Sequence, residues 1–266
     1  MRWHVYFIVI FALIQLSANV KYSEKKSGDC DKVNASALND YLQASYMKIF
    51  PDSIISWECY KNGMIGFFNI QSENLLQKQL ITLIDYSKSA NTKRLAIIDI
   101  QTNKLIQTSL VAHGRNSGEE FALSFSNTPK SKKSSLGFYI TSETYNGKHN
   151  FSLKLDGIDT LYNDNARQRG IVIHGAEYVS EQFIQNNVRL GRSFGCPALP
   201  NQLNKQIISI IKEGSCVFVY SDNRSYLASS AYLDENKASK YFEKELISQI
   251  EKVQNQDISN KGHILE

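Results

Sequence analysis

The sequence predicts a mainly β domain with short helices, preceded by a helical extension and followed by a C-terminal helix. Three observations lead there. Between Leu80 and Tyr220 the chain falls into short runs rich in Leu, Ile and Thr, separated by turn-forming residues, which is the texture of strands. Before them, Leu38, Tyr41, Leu42, Ser45 and Ile49 form a stripe at helical spacing. After them, Tyr241, Phe242, Leu246, Ile247 and Ile250 line one side of a charged stretch. The chain has 266 residues, 42% of them hydrophobic, which suits one domain of ordinary size plus extensions.

Arg2 and His4 precede an apolar run over residues 5–16, followed by Ser17-Ala18-Asn19. Such a run fits a secretory signal and is short for a membrane span, so residues 1–18 are expected to be a signal peptide. Leu16 stands where a small residue is preferred before the cut, which leaves an uncleaved anchor as the alternative. No Cys follows the run, against a lipid attachment. No integral membrane domain is expected after cleavage. Residues 21–31 read as a polar tether. Asn34 or Ser36 caps a helix to about Phe50, and Pro51-Asp52-Ser53 stops it. Residues 54–79 are mixed, with a second helix over 72–79. The stretch 19–79 is therefore a partly helical extension, either a small subdomain or a partner-binding arm.

Residues 80–221 form the expected domain. Strands fall at 80–85, 94–99 and 105–112, with 99–104 as a hairpin loop. Residues 114–129 have no period, and a loop that long in a compact domain is often functional. Lys130, Lys132 and Lys133 read as a solvated basic bend. Strands follow at 137–142 and 152–155, with Tyr145-Asn146-Gly147-Lys148 as a turn. Residues 161–170 are irregular and lead into a buried strand at 171–173. A helix over 201–212 carries Leu203, Ile207, Ile208 and Ile211 on its apolar face and ends at Gly214. Residues 215–220 are expected to close the sheet. Residues 222–266 complete the chain as a polar link, a helix over 233–253 and a frayed tail.

The formal net charge of +4 is too mild to argue for nucleic acid and is compatible with an acidic substrate. There are four cysteines and no C-x-x-C spacing. Cys30 and Cys59 lie in the extension and are expected to pair in an exported chain. Cys216 reads as buried in a strand. Cys196 lies between Gly195 and Pro197, a setting too turn-prone for a strand interior.

A thiol becomes a nucleophile when a base takes its proton and small neighbours let a carbonyl approach. Of five histidines, His4 and His263 lie near the ends, leaving His113, His149 and His174. His174, delivered by the 171–173 strand, is the candidate base and Cys196 the candidate nucleophile, with Gly175 and Gly195 supplying room. An attacked carbonyl needs oxyanion donors. Pro197 has no N–H, so the backbone amides of Phe194, Gly195 and Cys196 are the candidates. Arg192, Ser193 and His113 are candidate substrate-binding residues. The alternatives are structural: Arg192 and Ser193 holding their own loop, His113 making a structural hydrogen bond. Phe194 and Tyr139 are groove walls or core. Asp156, Asp159 and Asp164 read as loop acids, with no third carboxylate partner for His174.

His-Gly, some twenty residues, then Ser-x-Gly-Cys resembles the catalytic signature of the YkuD-type L,D-transpeptidases. Val111-Ala112-His113-Gly114, Phe125-Ser126-Asn127-Thr128-Pro129, Ser134-Ser135-Leu136-Gly137-Phe138-Tyr139 and Gly191-Arg192-Ser193-Phe194-Gly195-Cys196-Pro197 resemble the YkuD_2 branch of murein L,D-transpeptidase domains. One position departs from the commoner signature, which has His where this chain has Phe194. The resemblance covers about residues 80–220 and implies a β-rich L,D-transpeptidase-type catalytic domain. It implies that Cys196 attacks a peptidoglycan tetrapeptide stem at an L-centre followed by a D-residue, that His174 is the base, and that the Gly175 carbonyl orients its imidazole. The acceptor amine comes from another stem or from an envelope protein. The resemblance further implies acylation by carbapenems, a location in the periplasm or cell envelope of a bacterium, and no metal or cofactor. Three other readings stay open: an L,D-carboxypeptidase or cross-link hydrolase on the same Cys/His site, a non-catalytic envelope-binding protein, and an unrelated cysteine protease.

Overall fold

The computed structural model describes residues 30–148 and 150–262. The expected signal over 1–18 and the start of the tether lie outside them, as does His149. Two helices come first, α1 (Cys30–Ile49) and α2 (Trp57–Ser72). Five strands follow: β1 (Leu80–Asp85), β2 (Leu95–Asp99), β3 (Lys104–Ser109), β4 (Gly137–Gly147) and β5 (Asn150–Gly157). Then come α3 (Ala166–Arg169), β6 (Val172–Ala176), α4 (Glu181–Asn187), β7 (Ala198–Pro200), α5 (Asn201–Ile211) and β8 (Cys216–Tyr220). The chain ends in α6 (Arg224–Ser229), a 3-10 turn (Ala231–Leu233) and α7 (Glu235–Gly262).

The β-rich fold with flanking helices is as the sequence predicts, and several boundaries move. The strands form one sheet in the order β3-β2-β1-β8-β4-β5-β6-β7, parallel only at β1–β8 and β6–β7. β8 does not close the sheet but lies at its centre. Every residue of Cys216-Val217-Phe218-Val219-Tyr220 is buried, and a run that is apolar on both faces belongs between other strands. β3, exposed at Lys104, Leu105 and Ile106, takes an edge instead. The chain leaving β3 then returns to the other edge, where Ala112 and Ala198 exchange backbone hydrogen bonds of 2.9 and 3.3 Å. That stitch sets residues 111–114 beside the segment holding Cys196.

The expected helix at 72–79 is absent, because helix α2 occupies 57–72 and ends there. Ser56 caps it, its Oγ accepting from the Cys59 N–H at 3.2 Å. Gly63 and Gly66 are the points where α2 meets the sheet. A Cβ on Gly66 would lie 1.9 Å from the Phe138 ring, and one on Gly63 2.4 Å from Leu83 Cδ2. Gly66→Ala is therefore expected to destabilise the protein by about 1–3 kcal/mol through overpacking, less the few tenths to 1 kcal/mol that Ala gains in a helix. Urea unfolding checks it, and unchanged or higher stability would refute this packing.

The C-terminal arm is fastened at two buried polar residues. Asp159 Oδ2 accepts from the Phe138 N–H at 2.6 Å and from the Tyr226 hydroxyl at 3.1 Å, while its Oδ1 accepts from Ser230 Oγ at 2.5 Å. Asp159 is thus not a loop acid in solvent. Asn69 of α2 donates to the Tyr232 and Asp234 carbonyls at 2.8 and 2.9 Å. α7 then returns to the N-terminal helices, with the Phe242 ring tilted against Tyr41 and Phe68 at centroid distances of 4.8 and 5.6 Å. α7 runs on to Gly262, where the sequence suggests a frayed tail from 254. Cys59 and Cys216 are buried free thiols; the expected partner of Cys59, Cys30, opens α1 with its side chain outside the described residues.

Candidate active site

β6 is buried along its whole length and carries His174. The ring Nδ1 lies 2.9 Å from the Gly175 carbonyl oxygen. A carbonyl only accepts, so Nδ1 carries the proton and Nε2 is left with a lone pair. Gly175 gives room to the protein rather than to a ligand. A Cβ there would lie 2.6 Å from Asn201 Oδ1 and 3.1 Å from Asn204 Cβ, at the start of α5.

β7 lies parallel to β6, with His174 opposite Ala198 and the His174 N–H donating to the Pro197 carbonyl at 3.4 Å. This brings the bend at Cys196 to the beginning of β6. The Cys196 thiol is half-buried and donates to the Gly170 carbonyl at 3.6 Å. Burial pushes the thiol up from its ordinary range. The Val172 amide, then Arg169 and Lys148, pull it back.

The bend is held by neighbours that the sequence proposed for other tasks. Ser193 Oγ accepts from the Gly195 N–H at 3.0 Å and donates to the Cys196 carbonyl at 2.6 Å. Gly195 is thus removed from the oxyanion candidates, because its amide is already bonded. The amides of Phe194 and Cys196 remain. Gly195 has φ +128, and a Cβ would sit 2.8 Å from the Lys133 carbonyl, so both backbone and space call for glycine. Ser134 Oγ donates to the Gly195 carbonyl at 3.1 Å and accepts from the Gly114 N–H at 3.0 Å. Ser193 clamps the loop rather than offering itself to a substrate. Phe194 is 66% exposed, with the Lys132 ammonium 5.3 Å from its ring centre, so it belongs to the surface beside the thiol. Tyr139 is core.

Arg192 and His113 are likewise engaged by the protein. Arg192 Nη1 donates to the Arg115 and Gly118 carbonyls at 3.0 and 2.9 Å and pairs with Glu119 at 2.6 Å. His113 is fully buried: Nδ1 accepts from Arg94 Nη2 at 2.8 Å, and Nε2–H donates to the Gly118 carbonyl at 3.3 Å. With both ring nitrogens satisfied and no exposed surface, His113 reaches no groove. Burial and then the Arg94 charge hold it down at about 4. An unfolded histidine titrates near 6.5, so the unfolded chain binds the extra proton between those values. The contribution of His113 to stability is full above about pH 6.5 and falls as pH drops toward 4, by about 3 kcal/mol in all. Urea unfolding at pH 7 and 4.5 is expected to show this loss in the wild type and a smaller one in His113→Gln. Equal losses in both would show that His113 is not the titrating group.

The sequence does not single out Arg169. Its sequence setting, a polar irregular segment, carries no signal, and only the folding of α3 against residues 126–135 brings it to the bend. A cleft of about 560 Å3 lies elsewhere, between β3 and the starts of α4 and α5, lined by residues such as Lys93, Thr108, Glu181 and Gln202. It does not include the Cys196 bend.

No curated protein sequence matches. Among solved structures, an L,D-transpeptidase from Mycobacterium smegmatis matches at 9% identity and TM-score 0.36, over 54% of this chain and 59% of that one. An L,D-transpeptidase from Xylanimonas cellulosilytica matches at 12% identity and TM-score 0.34, over 54% of this chain and 61% of that one. The helical cell shape determining protein Pgp2 from Campylobacter jejuni matches at 16% identity and TM-score 0.38, over 68% and 63%. In each case less than two thirds of the solved chain is covered. The family model for the L,D-transpeptidase catalytic domain matches residues 52–220, taking in α2 as well as the sheet. That match spans more than half of the sequence, and the chain belongs to the L,D-transpeptidase catalytic domain family.

Proposed function

We propose that the protein is a peptidoglycan L,D-transpeptidase working through a Cys196 thioester. The observation that carries this is His174: its Nδ1 is tied to the Gly175 carbonyl, which puts the ring proton on that nitrogen and the lone pair on Nε2, and the same strand receives the Cys196 thiol at its start. In the proposed cycle, His174 Nε2 takes the thiol proton as Cys196 Sγ attacks the carbonyl of the L-centre before a terminal D-residue. The oxyanion is met by the amides of Phe194 and Cys196, and one such donor is worth about 100–1000-fold in rate. The C–N bond breaks, and the departing D-amino acid takes its amine proton from His174. An acceptor amine, from a second stem or an envelope protein, then attacks the thioester and gives its proton back through His174 to sulfur. Gly175 orients the imidazole throughout. The chemistry requires no cofactor.

The apolar leader expected over 1–18 supports action in the envelope of a bacterium. Among the described residues no helix is long and apolar enough to cross a membrane. Incubation with defined tetrapeptide muropeptides, followed by mass spectrometry, tests the reading. Cross-linked dimers with loss of the terminal D-residue are expected. Tripeptides alone would replace it by the L,D-carboxypeptidase reading, shortened cross-links by the hydrolase reading, and unchanged substrate with binding retained by the non-catalytic envelope protein.

A further inference from the structure

We propose that Arg169 is a positioning residue for Cys196: a guanidinium with only neutral hydrogen-bond partners among the described residues, locked beside the nucleophile's bend, that clamps this bend and favours the thiolate. The proposal rests on Cys196 being the nucleophile. Arg169 ends α3 and immediately precedes Gly170, whose carbonyl accepts from the thiol at 3.6 Å. Gly170, at φ 65, turns the chain from α3 into β6. The guanidinium reaches across to the loop before β4. Nη1 donates to the Ser126 carbonyl at 2.7 Å and to Ser135 Oγ, and Nη2 donates to the Lys133 carbonyl at 2.7 Å and to Ser131 Oγ at 3.3 Å.

Every one of these acceptors is neutral. Arg167, two residues earlier, makes the contrast: it lies on the carboxylates of Glu143 and Asp156, which cancel its charge. Arg169 keeps its charge where the nucleophile is. Its Nη2 lies 3.5 Å, and the Lys133 carbonyl it holds 2.8 Å, from the point where a Cβ on Gly195 would stand. Removing the side chain would therefore release the carbonyl that packs on Gly195 and take away the cation at the Cys196 bend. A fixed, partly buried cation favours the charged form of a neighbouring thiol.

The other charged or titratable groups around the thiol suit the task less well. His174 on β6 serves as the base. Lys148, at the tip of the β4–β5 hairpin, is exposed and screened by water and salt. Lys133 turns its ammonium to Ser124 Oγ at 2.6 Å, and Lys132 lies over Phe194. Tyr86 and Tyr178 are held neutral by burial. A five-donor planar fork keeps its position where a lysine would not.

The test is the pH profile of Cys196 alkylation by iodoacetamide in the full chain, read by peptide mass spectrometry. Arg169→Gln is expected to move the profile to higher pH by about one unit and to slow alkylation at pH 7 by about 3–10-fold, since a higher thiol pKa partly restores nucleophilicity. Arg169→Lys keeps the charge without the fork that fixes it and should move the profile by only part of that unit, and Lys148→Ala should leave it unmoved. A purely structural Arg169 would lower activity in both arginine variants without moving the profile, and coincident profiles for the wild type and Arg169→Gln would overturn the proposal. Should Arg169→Gln not fold, the wild type still decides. A fixed cation gives the anionic reagent iodoacetate an advantage over iodoacetamide that shrinks with added salt, and a salt-independent ratio would overturn it. If Cys196 is not alkylated in the wild type and its loss leaves turnover intact, the nucleophile assignment fails instead.

Discussion

Cys196→Ala is expected to abolish turnover, at least about a thousandfold down, while leaving the fold intact. The sulfur is half-buried at a bend whose hold comes from other atoms: Ser193 Oγ on the Gly195 amide and Cys196 carbonyl, and Ser134 Oγ on the Gly195 carbonyl. Losing the sulfur removes little packing and one weak bond to Gly170. Intact-mass measurement with a carbapenem should show one covalent adduct on the wild type and none on Cys196→Ala. Cys59 and Cys216 cannot take its place, because both are fully buried and burial pushes both thiols well up. His174→Ala should keep the thiol but slow acylation by about 100–10,000-fold, as the proton has no acceptor. Undiminished turnover by Cys196→Ala, or an adduct on another cysteine, would end the assignment.

The pair behind that prediction is legible in the sequence because each member sits in a local pattern: a short apolar strand ending in His-Gly, and a Gly-Cys-Pro bend. Other features are legible for the same reason. β1 occupies its expected 80–85, and α5 follows the spacing of Ile207, Ile208 and Ile211. What escaped depends on contacts distant in sequence. The helix expected over 72–79 lies instead at 57–72, where Gly63 and Gly66 let it press on a sheet formed by residues far along the chain. The place of β8 follows from pairing with strands some 80 and 130 residues earlier. The sequence leaves Arg192, Ser193 and His113 open between substrate binding and structural roles, and only the fold shows that these polar groups already have partners. Arg169 is the converse case, an arginine with an ordinary sequence setting whose four neutral acceptors come from a separate loop.

Arg94→Ala is expected to cost about 3–5 kcal/mol of stability. Arg94 is completely buried. Burial lowers it to about 10, so it remains charged at neutral pH. It replaces water with a full set of acceptors: Nε and Nη2 donate to the Val111 carbonyl at 3.2 and 3.0 Å, Nη1 to the Lys88 carbonyl at 2.8 Å, and Nη2 to His113 Nδ1 at 2.8 Å. The guanidinium also lies 4.7 Å over the Tyr86 ring. Alanine would leave a cavity and three acceptors without donors, each buried orphan costing about 1–3 kcal/mol before relaxation. The loss should reach the active site as well. Val111 and His113 flank Ala112, which carries the stitch to Ala198, and the His113 carbonyl accepts from the Ser193 N–H at 2.9 Å. Loosening this segment loosens the clamp on Cys196, so activity should fall even at temperatures where Arg94→Ala remains folded. Arg94→Lys keeps the charge but cannot span Val111, Lys88 and His113 together, and should recover only part of the stability. Urea unfolding and turnover, measured on the three proteins at one pH, decide the matter. A loss below about 1 kcal/mol in Arg94→Ala would show that water readily takes the place of the guanidinium, and that this buried charge does not hold the bend.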